Sequence, residues 1–129
     1  MHTRDDLVRG GLVLVVTAPI ITCERAQRGW DDHLGRERPA GTSGRLAFLE
    51  DLSQSWVKPM VLIAMRREYV AGKEPVLLLD TDGAVRKALG VEKGATTVFV
   101  FDAQGQVRAA ETGAPSAEAA RRAWAALTS

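Results

Sequence analysis

Residues 11–23 read GLVLVVTAPIITC, from Gly11 to Cys23, and the fold turns on what this stretch is. One reading is an export signal. A short apolar core follows Arg4 and Arg9 and stops at a cysteine, which is the outline of a lipoprotein leader. Asp5 and Asp6 spoil the positive start that such a leader needs, and Thr22 stands where it wants a smaller residue. The other reading is a strand. Leu12–Thr17 (LVLVVT) is an unbroken run of Leu and β-branched residues, the pattern of a strand buried on both faces. The strand is the reading adopted. Compartment stays open: exported if a leader has been removed from a longer precursor, otherwise cytoplasmic.

Working outward, Thr3 to Asp6 has the look of a helix start, broken at Gly10-Gly11. Thr22 is expected to cap a helix running through Arg25 and Trp30 to about Leu34. Gly35 to Gly44 (GRERPAGTSG) reads as a loop. Arg45–Glu50 is a second strand, and Asp51 to Ser55 a polar turn. Pro59 suits a first helical position, so a helix is expected from there to Val70, with Gly72 near its end. Pro75–Asp80 (PVLLLD) is a third strand, Asp82–Leu89 a short helix stopped at Gly90, and Thr97–Asp102 (TVFVFD) a fourth strand. A hairpin turn at Ala103 to Gln106 leads to a fifth strand, Val107–Thr112. Ser116 caps a last helix reaching about Leu127. Strands alternating with helices imply an α/β domain. A five-stranded, mostly parallel sheet is expected, with helices on both faces and a C-terminal hairpin plus helix. The 129 residues are one domain's worth.

Composition narrows function by exclusion. A net charge of +1 leaves no electrostatic footprint for nucleic acid or an acidic membrane surface. No apolar run reaches the length of a membrane span. Cys23, His2 and His33 do not have the spacing of a zinc site, so no metal is expected, and no phosphate or dinucleotide fingerprint implies a cofactor. A single cysteine cannot form an internal disulfide.

From Gly90 onward the motifs fall into a known order. Gly90-Val91, Gly94-Ala95-Thr96-Thr97, the strand Val98–Asp102, Gly105-Gln106-Val107 and Gly113-Ala114-Pro115 resemble the C-terminal half of TlpA-like proteins of the thioredoxin-like superfamily. The first half is similar too, with Arg9-Gly10-Gly11, an apolar strand and a helix where that family's active-site helix begins. The resemblance also extends to the YtfJ-like group. It covers nearly the whole chain, and it rests on the order of the motifs, each weak by itself. It implies a thioredoxin-like fold and a site at Ile20 to Cys23. The family's Cys-x-x-Cys falls on Ile20-Ile21-Thr22-Cys23, so cysteine holds the second position. With the gap placed differently, Cys23 falls near the first. The family's cis-proline falls on Thr96. A non-proline cis bond costs about 3 kcal/mol, so a trans peptide is expected there.

Dithiol exchange needs an attacking thiolate and a resolving thiol. The expectation is therefore a degenerate, non-catalytic module that binds an unidentified protein or small molecule, with Thr96, Pro19 and Trp56 as candidate partner-binding residues. The alternative is a single-cysteine reductase or peroxidase acting through Cys23. In that reading a helix start stabilises the thiolate, with Thr22 and Arg25 beside it. A peroxidase motif would need wider spacings than Pro19-x-x-Thr22-Cys23 provides. Asp31-Asp32-His33 reads as a solvated helix segment, and Trp30 and Trp124 as cover for the sheet. Asp80, Asp82 and Asp102 read as turn caps.

Overall fold

The computed structural model describes residues 10–54 and 74–127. Five strands form one sheet: β1 (Leu12–Thr17), β2 (Arg45–Asp51), β3 (Val76–Asp80), β4 (Thr97–Phe101) and β5 (Val107–Glu111). Among the described residues three helices accompany them: α1 (Ile21–Glu37), α2 (Ala84–Ala88) and α3 (Ala117–Ala126). A single 3₁₀ turn, Leu52–Gln54, follows β2. The helix expected from Pro59 to Val70, the start at Thr3 and Trp56 lie outside the described residues.

The spatial order is β3-β2-β1-β4-β5. β1 takes the centre because it is apolar on both faces, and all six of its residues are buried. The stretch supplies the central strand and the entry to α1, as in the strand reading. Alternation sorts β1 between two cores. Val13 and Val15 join Trp30, Leu34, Phe48, Val98, Val100 and Trp124 under α1 and α3. Leu12, Leu14 and Val16 join Ala47, Leu49, Val91 and Phe99 on the other face, where Leu89 from the end of α2 packs.

The sheet is mixed: β1, β2, β3 and β5 point one way and β4 the other. β1–β2 and β2–β3 are parallel, while β1–β4 is antiparallel like the β4–β5 hairpin. The reason lies in the short α2. Asp80, at the carboxyl end of β3, accepts hydrogen bonds from the backbone N–H groups of Val85 and Arg86, at 3.3 and 2.9 Å. The chain is therefore held at the end where β1, β2 and β3 finish. β4 starts there, pairs Thr97 with Val16, and runs back. The loop before β4 consequently lies against the start of α1.

Other boundaries also moved. α1 continues past Leu34 to Glu37 and stops where Arg38 turns extended before Pro39, as a residue ahead of proline prefers. Tertiary partners hold this last turn despite Gly35. The Leu34 carbonyl accepts the Trp124 indole N–H at 2.9 Å, and Arg121 reaches Glu37 at 2.8 Å. Gly29 faces Pro115 so closely that a Cβ would sit 2.9 Å from the ring, so α1 and the entry to α3 meet at a residue without a side chain. Trp30 is fully buried, and its indole N–H has no acceptor among the described residues. Ser116 caps α3 through the Ala119 N–H, as expected. Asp82 and Asp102 accept backbone N–H groups in their turns, also as expected.

Candidate functional site

The site implied by residues 20–23 forms where β1 ends, α1 begins and the loop Glu92–Thr96 returns. Pro19 makes the corner. The Ile20 N–H donates to the Ala18 carbonyl at 2.8 Å, and the Cys23 N–H to the Ile20 carbonyl at 3.0 Å. The helix thus starts at Ile21 with Ile20 as its extended N-cap, which offers no side-chain bond. Thr22 is therefore not the cap. The backbone corner at Pro19 starts the helix a step early and leaves Thr22 exposed inside the first turn.

Helical geometry then sorts the side chains, about 100° apart per residue. Ile21 points out and is 89% exposed. Cys23 points in and is fully buried, with Sγ 3.9 Å from the Ala95 carbonyl oxygen, a weak S–H···O contact. Arg25 is exposed on the outer face. There it lines a shallow hollow of about 320 Å³ with Ile21, Glu24 and Arg28. Two residues along a helix is more than half a turn, so Arg25 and Cys23 are not brought together. Pro19 is half-buried at the rim.

Thr96, where the resemblance puts the family's proline, opens onto β4. The one cis peptide among the described residues is Glu74–Pro75, so the bond into Thr96 is trans. Thr96 is only 8% exposed, and its Oγ1 lies 2.8 Å from that of Thr17 at the end of β1. Its side chain is turned into the sheet and offers a partner nothing. What faces outward here is the half-buried pair Gly94 and Ala95.

A buried polar network behind this loop was not foreseen. Asp51 ends β2 and pairs with Arg86 of α2 at 2.5 Å, both side chains being almost fully buried. Arg86 also donates to the Val91 carbonyl at 2.6 Å. Asp51 accepts from the Ser53 N–H at 2.9 Å, the Ser53 hydroxyl at 2.6 Å and the Gln54 amide at 2.8 Å. Gln54 in turn accepts the Gly94 N–H at 2.8 Å. Burial pushes the Asp51 carboxyl up, but the bonds from Ser53, Gln54 and Arg86 outweigh it and hold it below the ordinary aspartate value. Glu50, beside Thr17 in the β1–β2 register, is also buried. No group of His, Cys, Asp and Glu among the described residues is arranged to hold a metal. Asp32, in the segment read as solvated, pairs with Arg36 one turn on.

No protein-family model and no curated protein matches the chain. Solved structures do. StoA from Bacillus subtilis superimposes with a TM-score of 0.67 at 16% identity, over 91% of this chain and 84% of that one. A thiol:disulfide interchange protein of the thioredoxin family from Chlorobium tepidum gives 0.64 at 17% identity, over 95% and 83%. The pneumococcal exposed lipoprotein thioredoxin Etrx1 from Streptococcus pneumoniae gives 0.64 at 14% identity, over 93% and 87%. The fold is thioredoxin-like, as the order of the sequence motifs implied. Among the described residues no helix is long and apolar enough to cross a membrane.

Proposed function

We propose that this chain is a thioredoxin-like binding module without redox catalysis, and that its partner meets the entrance of α1 at Pro19, Ile21 and Arg25. The observation that carries this reading is the state of Cys23. It is the single thiol of the chain and it is closed off from solvent. By the order of the motifs, Ile20 falls where the family's attacking cysteine would be. Exchange needs an accessible thiolate and a second thiol to release the mixed disulfide, and neither is provided. An exposed isoleucine one residue further on, Ile21, supports recognition instead. Ile21 stands beside Arg25, which has no ion-pair partner among the described residues, and this suits an apolar group next to a carboxylate on a protein partner.

The rival is a single-cysteine oxidoreductase. It draws on the fold neighbours that are thiol:disulfide interchange proteins and on the place of Cys23 in the first turn of α1. Alkylation of the native protein near neutral pH, together with a protein-disulfide reduction assay, decides between them. The binding module reacts far more slowly than its unfolded form and reduces no disulfide. Rapid alkylation together with glutathione-dependent turnover would replace it with the enzyme. An extracytoplasmic setting is supported by the exposed-lipoprotein neighbour, and cell fractionation tests it.

A further inference from the structure

We infer that residues Glu92–Ala95 form a hinged flap over Cys23, latched by the hydrogen bond from the Gly94 N–H to Gln54, and that release of the latch is what makes the thiol reachable. This builds on the closed, unreactive thiol proposed above.

The segment hangs between two fixed points. At one end Val91 is buried, and its carbonyl is held by Arg86 at 2.6 Å. At the other end Thr96 is buried and tied to Thr17 at 2.8 Å. Between them Glu92 and Lys93 are exposed, Gly94 and Ala95 half-buried, and no side chain is fully buried. Of the four, only Ala95 packs, half-buried, against the second core, so opening loses the apolar contact of one small side chain. The Ala95 N–H closes a turn onto the Glu92 carbonyl at 3.2 Å, so the four residues move together. Gly94 has φ near +80°, a conformation with little penalty for glycine alone, and Gly90 at +75° precedes the first anchor.

The flap touches α1 at the right place to cover the sulfur. The Ala95 carbonyl faces Cys23 Sγ at 3.9 Å, and a Cβ on Gly94 would lie 3.8 Å from the Thr22 hydroxyl. Within the segment, its one strong tie to the rest of the molecule is the 2.8 Å bond to Gln54. Gln54 is well placed to hold it, since its amide is anchored on the Asp51 carboxylate. Loss of this bond leaves both anchors in place.

The test follows the rate at which Cys23 reacts with a thiol reagent in the folded protein, against denaturant, in three forms: wild type, Gln54→Ala and Ser116→Ala. Ser116→Ala weakens the α3 cap, distant from the flap in sequence and contact, and serves as a global control. The flap requires that Gln54→Ala speed the reaction about tenfold beyond what its lowered global stability explains. It also requires a wild-type rate nearly independent of mild denaturant, as for a local opening. If the wild-type rate rises as steeply as global unfolding, and both variants accelerate only in proportion to lost stability, there is no flap. That result leaves the redox-inactive module standing, whereas a fast wild-type reaction without denaturant would overturn the module itself.

Discussion

The hydroxyls of Thr17 and Thr96 meet at 2.8 Å across the β1–β4 junction, both buried. Each satisfies the other, so losing one leaves a buried hydroxyl with a partner missing. Thr96→Val is expected to lower stability by about 1–2 kcal/mol. The double variant Thr17→Val/Thr96→Val should lose less than the sum of the single changes, because neither hydroxyl is then orphaned. Urea denaturation of the four proteins checks this.

The Asp51–Arg86 pair is buried, and each side chain holds other groups as well. Replacing Arg86 by Met strands the carboxylate and is expected to destabilise by about 3–5 kcal/mol. Thermal melts read the loss, and Gly94 amide exchange in the same variant reports whether the loop before β4 loosens with it.

The same carboxylate predicts a pH dependence. Its pKa is lower in the folded protein than in the unfolded chain, so the unfolded state binds the proton more readily. The stabilisation is complete above the unfolded value of about 4. It is lost as pH falls below that, through the folded value. Wild type should therefore lose stability from about pH 4 downward, and Asp51→Asn, already less stable at neutral pH, should show a shallower acid slope. Denaturation midpoints measured from neutral to strongly acidic pH check it.

Ser116 accepts the Ala119 N–H at 3.0 Å at the start of α3. Ser116→Ala is expected to cost about 1 kcal/mol, with the fold retained. Ile21 is the opposite case: with its side chain in solvent, Ile21→Ser should change stability by no more than about 0.5 kcal/mol. If the proposed surface is right, the same substitution weakens partner capture while the circular dichroism spectrum is unchanged.

The parts of the fold that were readable in the sequence are those whose signal is local. The unbroken run Leu12–Thr17 announces a strand covered on both faces, and Ala103 to Gln106 between two apolar runs announces a hairpin. Side-chain pattern carries no information about neighbour order, so the antiparallel seating of β4 beside β1 was missed. It depends on α2 staying at the carboxyl ends of the parallel strands, which Asp80 enforces. Thr22 was a reasonable cap by residue type, but the Pro19 corner had already started the helix. The absence of a cysteine pair was legible, because the chain has one cysteine. The buried support of the site was not: Asp51 and Arg86 are 35 residues apart, Gln54 and Gly94 are 40, and no periodicity links them.

The two described tryptophans differ in one atom's surroundings. Trp124 gives its indole N–H to a carbonyl, whereas that of Trp30, in the same core, has no acceptor among the described residues. A donor buried without an acceptor forgoes about 1–3 kcal/mol. Its proton also has no water to trade with until the layer between α1 and the sheet comes apart. The indole of Trp30 is thus a built-in clock for whole-molecule opening, readable as one resonance and separate from any event at the rim where Cys23 is covered.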